Sequence, residues 1–490
     1  MTTRMYGRWE KPRSAGFFGL TWGVSMLGLG LVIAIMLIFM VTHSLSVTGI
    51  AICCAAAIFV PMAVTIGGRT GWEIAVLRIQ FALARSRGEL EYRSGRFSSI
   101  PGTARLPGLL ADSRLTEYET PGGKRFGLIH VRRTDHYTVV LRVIPRGREL
   151  VDQTQIDDWV SEYGNFLASQ SRGGEVVAVT SVLDTVVETH LRQHREVARL
   201  LRPQAPEFAR AVMREAAADI GGVGVRVEAR VALTYRAIGR GRGRRDIAEQ
   251  AREIGQRLQG ALSQLARAGL PATPLEAWEV LGLVRSRYDL AAQRDIELAG
   301  RDLTGTQSWD TVGPIAHSDR WDHLVHDGAR SITWEMDAAP RGAVLETGLE
   351  ELLKPRADVP RKRVAIIYRL HSASAATDIV DSDFRDALAA EQTERGVPGA
   401  AASIRVQNTG AARQEQAQGA GLTRFGALIT ITDHLGGDMP GIEASVEAMA
   451  AAARLGVRRC YAYQAAAFAA SLGIGVILPE HTSISKRVSI

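Results

Sequence analysis

The sequence predicts a membrane-anchored α/β protein: a two-helix transmembrane hairpin followed by a mixed α/β (α+β) body of two units. Three observations carry that reading. Residues 14–68 are 55 positions without one Asp, Glu, Lys or Arg. The remaining chain interleaves β-branched apolar runs with stripes at helical spacing, in similar order twice over. Hydrophobic residues make up 46% and charged residues 23%, which is globular composition and excludes a disordered or collagen-like chain. Three cysteines cannot staple 490 residues, so a disulfide scaffold is excluded too. Of the 59 basic residues only five are lysine, a usage typical of high-GC actinobacterial genomes.

The charge-free run comes first. A spanning helix needs about 20 apolar residues, so 55 positions are too many for one span and enough for two. Spans at about 17–41 and 45–66, with a turn over 43–46, reach ~37 Å and ~33 Å at 1.5 Å per residue. A cleaved signal peptide does not fit, because the first apolar run is too long and a second follows at once. Residues 1–13 are a basic tail in which Arg4, Arg8, Lys11 and Arg13 face only Glu10. The stretch from Arg69 to Arg96 holds six arginines against three glutamates. By the positive-inside rule both flanks, and therefore both termini, are expected in the cytoplasm of a two-span cell-membrane protein. Trp22 and Trp72 are placed to anchor at the interfaces. Gly19 and Gly23 form a small-xxx-small pair for close helix packing, either within the hairpin or against another membrane subunit.

Residues 69–123 read as a juxtamembrane segment. WEIAVLRIQFALARSR over 72–87 is either a basic amphipathic helix or a continuation of the second span, and 93–123 is a Gly/Ser/Pro/Arg-rich loop. The first α/β unit is expected over 124–299. Strands are expected at 126–131, 137–144 and 176–182, and helices at 154–170 and 206–220. Residues 225–235 alternate strictly, with Arg226, Glu228, Arg230 and Thr234 on what should be a wet face. A long helix through Ile247 and Leu265 stops at Gly269 and Pro271, and Thr273 to Glu276 reads as a capping box opening the next. Residues 300–328 look like a loop-rich connector. The second unit, 329–490, begins with the alternating Ile332, Trp334 and Met336. Strands at 363–370 and 427–431 and helices at 380–393 and 442–455 follow, and 475–478 closes it.

Chemistry-bearing patterns are sparse. There is no GxxxxGK[ST], HExxH, GxSxG or CxxC, so an ordinary nucleotide motor is not expected. His190 and His194 share a helical spacing but lack a third ligand. His323 and His326, with Asp319 or Asp322, could bind a metal or be a polar loop. Asp381 and Asp383 form a DxD, as in transferases that hold a divalent cation, or else acids in a helix's first turn. Arg240, Arg242, Arg244 and Arg245 form a glycine-spaced basic loop suited to an anionic surface, an acidic partner or simple connection. Past residue 68 the body carries 55 basic against 51 acidic residues, too near balance for nucleic-acid binding by global charge.

Three phrases carry a family likeness: YGRWEKPRSAGFFGL before the hairpin, LTEYETPGGKRFGLIHVRRTDHYTVVLRV, and GLPATPLEAWEVLGLVRSRYD. With the hairpin and a body near 400 residues, the chain resembles actinobacterial membrane proteins encoded beside the coupling and assembly ATPases of conjugative, type IV secretion-like clusters. The hairpin is similar to PrgI-type conjugation membrane proteins. The overall plan is similar to EccE, a type VII secretion component, mainly in topology and around residues 115–170. The resemblance implies a non-enzymatic membrane subunit that needs no cofactor and whose partners are the lipid bilayer, other machine subunits and a cytoplasmic ATPase. A membrane-tethered, metal-dependent transferase using the DxD is the alternative. A nucleic-acid-handling module using the arginine loop is a third reading.

Overall fold

The computed structural model describes residues 22–66, 68–95, 98, 104–147, 150–219, 224–237, 246–340, 344–359, 361–393 and 400–481. Two apolar helices lead, α1 (Trp22–Thr42) and α2 (Leu45–Ala63), packed on one another across a turn at His43 and Ser44. His43 takes a left-handed φ of 48°, which folds the chain back within two residues. A Cβ at Gly28 would stand 2.7 Å from the Phe59 ring, so that glycine is what lets the helices approach. Of the described segments, Leu45–Ala63 is long and apolar enough to cross a membrane, and Met26–Thr42 is a shorter apolar helix. After α2 a two-stranded turn, β1 (Thr65–Ile66) with β2 (Arg69–Thr70), redirects the chain into α3 (Gly71–Ser86). Thr70 and Glu73 form a reciprocal capping box at its start. The amphipathic stretch is thus a separate helix and not an extension of α2.

The body then adds β3 (Glu91–Arg93), β4 (Ser113–Glu119), β5 (Arg125–Val131), β6 (His136–Val143), α4 (Gln153–Arg172) and β7 (Val176–Val187). Next come the helical pair α5 (Leu191–Leu200) and α6 (Glu207–Asp219), then β8 (Val225–Arg236), α7 (Ile247–Arg267) and β9 (Ala272–Pro274). Helices α8 (Ala277–Tyr288), α9 (Gln293–Ala299) and α10 (Leu303–Thr306) lead to β10 (Ala316–Asp319), β11 (Leu324–His326) and β12 (Ala329–Ala338). The chain finishes with α11 (Glu350–Leu353), β13 (Lys362–Leu370), the pair α12 (Ala373–Thr393) and α13 (Ala400–Ala417), β14 (Thr423–His434), α14 (Met439–Ala452), β15 (Gly456–Arg459) and α15 (Gln464–Ser471).

Among the described residues β3 to β15 join one 13-stranded antiparallel sheet, ordered β3-β10-β11-β12-β14-β13-β7-β8-β6-β5-β4, with β15 on β12 and β9 on β6. The two expected units are therefore not separate bodies. They abut edge to edge where β7 pairs β13, from Arg363 opposite Asp184 to Arg369 opposite Ala178. On each side of this seam the order is the same. β6 and β7 lie parallel with β8 inserted between them, and β12 and β13 lie parallel with β14 inserted. Each is a split β-α-β unit, and in each the second strand leads to the third through a helical pair, α5/α6 or α12/α13.

Alternating side chains make cores on both faces. On one face Leu141, Val179 and Leu233 pack under α4 and α7. Trp334, Val364 and Ile431 do so under α11 and α14. On the other face a single core crosses the seam, joining Val140, Val182 and Ala232 to Ala365 and Leu428 beneath α8, α15 and the buried Leu472, Ile474 and Val476. Each fully buried large side chain contributes about 1.5–3 kcal/mol. Gly473, at φ +69°, leaves no room for a Cβ beside Val182, and residues 472–476 pack as buried coil.

Four expectations change. Residues 113–119 are strand β4, and the 300–328 connector supplies β10 and β11. Residues 316–318 also pair the outlying β3. The capping box lies between Glu276 and Glu279, since Thr273 is in strand β9. The face of β8 with Arg226, Glu228 and Arg230 is not wet: Arg230 is buried, and the others are partly covered.

Candidate functional site

Two built regions stand out, a polar junction beside the apolar helix pair and a charged cleft next to an ion network buried at the seam. The junction forms where the turn after α2 meets the second unit. The Arg69 guanidinium donates to Glu335 Oε1 at 3.1 Å and to the Tyr463 hydroxyl at 2.6 Å, and it also lies over the Tyr463 ring. Arg458 on β15 donates to the same Glu335 oxygen at 2.5 Å and to the Gly68 carbonyl at 3.0 Å, and it pairs with Asp337. Helix α3 adds Phe81, edge-on to Trp321 at 5.5 Å, with Arg78 over the same indole. The helix pair is thus clamped to the edge half of the sheet by charge-assisted bonds and aromatic contacts.

The second region begins at Asp184, a carboxylate in an otherwise apolar part of β7 at the point where β7 meets β13. Its Oδ2 accepts from Arg287 Nε at 2.7 Å, Arg230 Nη1 at 3.1 Å and Arg363 Nε at 3.3 Å. Burial alone would lift this carboxyl, but Arg287, Arg363 and Arg230 together hold it well below the usual range. Burial also lowers Arg230, to about 10, so all these groups stay charged at neutral pH. Arg287 reaches on to Glu228 at 2.6 Å, and Glu228 accepts from Arg226 at 2.7 Å. Arg226 in turn donates to Glu297 at 3.0 Å.

Arg226, Glu228, Arg230, Arg287 and Glu297 of this network line a cleft of about 690 Å³ between β8, the end of β6, α5, α8 and α9. Its lining includes six arginines, Arg142, Arg192, Arg195, Arg226, Arg230 and Arg287, against three glutamates, Glu228, Glu279 and Glu297. Val227, Trp278, Leu283 and Ile296 supply apolar wall. The volume lies within the roughly 300–1,000 Å³ of small-molecule sites.

The residues singled out from sequence fall elsewhere. Asp381 and Asp383 lie in the middle of α12 and not in its first turn, and Asp381 pairs with Arg413 at 2.8 Å. Residues two apart on a helix project to different sides, so the DxD does not converge on one cation. His326 is fully buried on β11. Its Nδ1 donates to the Tyr288 carbonyl at 2.6 Å, and its Nε2 accepts from Ser331 Oγ at 2.8 Å, so both nitrogens are occupied. His323 is bound to Asp322 beside it. His190 occupies the N-cap position of α5 in a left-handed conformation, without a side-chain cap bond, and His194 follows within the helix. Among the described residues no three His, Cys, Asp or Glu side chains gather to hold a metal. Trp72 is half-exposed on α3. Trp22 and Gly23 belong to the backbone of α1, with no further detail of either described, and Gly19 and the loop of Arg240, Arg242, Arg244 and Arg245 lie outside the described residues.

Sequence reasoning missed Asp184, Arg230, Arg287 and Arg363. For Asp184 the available signal was the one charge in the β-branched run SVLDTVV, and for Arg230 a charge flanked by apolar residues in VEARVAL.

Residues 13–73, which include both apolar helices and the turn after them, match a family described as Domain of unknown function (DUF8461). No curated protein matches the chain.

Proposed function

We propose that this chain is a non-enzymatic, membrane-anchored subunit of a bacterial secretion or conjugation machine. Two spans would hold it in the cell membrane with both termini cytoplasmic, and the α/β body would dock cytoplasmic partners such as an ATPase. The observation that carries the reading is the junction. A charge-free helix pair is tied to a large folded body within a few residues of its end, through Arg69, Glu335 and Arg458. A strut fixed in this way would pass force or position between a bilayer and a docking surface, whereas a flexible tether would not. The helix Leu45–Ala63 has the length to span, α1 is equally uncharged, and arginine-rich flanks sit on both sides. The likeness to conjugation and type VII membrane components supplies the choice of machine. The DxD transferase has no observation in its favour.

Topology tests this directly. In a variant lacking Cys53, Cys54 and Cys460, Ser44→Cys should react with an impermeant thiol reagent on intact cells and Arg301→Cys should not. Reaction at 301 but not at 44 would invert the topology and remove the docking role.

A further inference from the structure

We propose that the arginine cleft binds a small phosphorylated ligand, with the phosphate held by Arg192, Arg195 and Arg230. The charge in the cleft is unevenly spent. Arg142 is matched by Glu279, Arg226 by Glu228 and Glu297, and Arg287 by Asp184 and Glu228. Arg192 has no partner among the described residues. Among the described residues Arg195 donates to the carbonyls of Glu297 and Leu298 at the end of α9 and pairs with no carboxylate. Arg230 is 4% exposed; its Nε is used by the Leu472 carbonyl and its Nη1 by Asp184, and its Nη2 is buried with no partner. A buried, unpaired N–H of a guanidinium costs on the order of 1–3 kcal/mol, which an anionic oxygen in the cleft would recover.

Packing does not account for the unpaired Arg192 guanidinium or the unused Nη2 of Arg230. Arg192 and Arg195 stand on α5, an exposed helix that the fold holds through only a few contacts. Guanidiniums from two separate elements suit an anion with three terminal oxygens better than a carboxylate with two. The apolar wall of Val227, Trp278, Leu283 and Ile296 leaves room for a base, sugar or acyl portion beside the phosphate. The phosphate could belong to a soluble metabolite or to a lipid that ends in a phosphomonoester, and both offer the same three-oxygen group to the arginines.

The test is titration calorimetry on the full chain in detergent with three probes: inorganic pyrophosphate, adenosine 5′-monophosphate and water-soluble dihexanoyl phosphatidic acid. Saturable binding of at least one probe is expected, weakened roughly tenfold or more by Arg192→Ala with Arg195→Ala. The unfolding transition of that variant should stay where it was. Arg230→Lys, which retains a cation for Asp184 but removes the forked donor, should weaken the same probe. Binding of the soluble phosphates identifies a metabolite site, and binding of the phosphatidic acid alone identifies a headgroup site. The proposal is overturned if none of the three binds saturably or if affinity is unchanged in the folded double variant.

Discussion

The two split β-α-β units share a strand order and a helical-pair insertion, yet they have been given different work. The second unit, β12-β14-β13, holds the apolar helix pair through Glu335 and Asp337 on β12. The first unit, β6-β8-β7, carries the arginine cleft through Arg226, Glu228 and Arg230 on its inserted strand β8. The corresponding inserted strand of the second unit, β14, presents Leu428 and the hydroxyls of Thr430 and Thr432 at the centre of the sheet. Topology alone therefore does not set function here. It provides two equivalent frames, and side-chain polarity on the middle strand decides which frame holds charge.

The sharpest way to break the comparison is at the seam, where both units depend on Asp184. Replacing it with Asn leaves Arg230, Arg287 and Arg363 buried around a neutral amide. Losing the charged partner of a buried network costs about 3–5 kcal/mol. Asp184→Asn should accordingly lower the chemical-denaturation stability of the full chain by about that amount, with both units unfolding together. A variant as stable as the parent would mean that the seam is held by its apolar face and that the charges are incidental.

Next in size is acidification, which should act on the second half of the sheet. Burial pushes His326 down from 6.5 to about 4, and the neighbouring His317 likewise. A histidine with a depressed folded pKa gives stability that is present above about 6.5 and lost as the pH falls toward 4. For His326 the full loss is about 3 kcal/mol. Asp319 on the same hairpin has the opposite sign. Burial lifts it to about 7, so its contribution is present below 3.8 and lost as the pH rises through 7. Stability measured by denaturant at pH 6.5 and 4.5 should fall on acidification, and Asp319→Asn should steepen the fall. A shallower fall in that variant would reverse the assignment.

These two predictions also mark what could be read from the sequence. The strands at 126–131, 137–144 and 363–370 and the long helix ending at Gly269 were legible, because apolar period and stop residues coincide with burial. The seam was not legible. Asp184 and Arg363 lie about 180 positions apart in sequence, and only pairing of β7 with β13 makes a charged residue in an apolar strand acceptable. The alternation in β8 gave the right strand but the wrong solvent, since a polar face looks the same whether it meets water or a second set of charges. The 300–328 strands escaped because β10 and β11 are only 4 and 3 residues long and rich in His, Ser and Asp.

The smallest expected effect lies at the junction, and it separates a rigid strut from a loose tether. Glu335 receives both Arg69 and Arg458, with the three side chains 15–24% exposed. Glu335→Gln keeps the shape and one acceptor oxygen but removes the charge that both guanidiniums share. A partly solvated pair of this kind is worth about 1 kcal/mol, so global stability should shift by no more than that. The local consequence should be larger in relative terms. Between α2 and α3 the chain makes the two-stranded turn, which Arg458 fixes through the Gly68 carbonyl. With the carboxylate gone, limited proteolysis at 64–71 should speed up several-fold at unchanged body stability, because local opening tracks local and not global free energy. If cleavage stays at the parental rate, the contacts of Phe81 and Arg78 with Trp321 suffice to hold the strut, and the ion pairs only decorate it. If instead the whole body is destabilised by several kcal/mol, Glu335 belongs to the core of the second unit, and the division of work between the two units begins deeper in the fold than the junction.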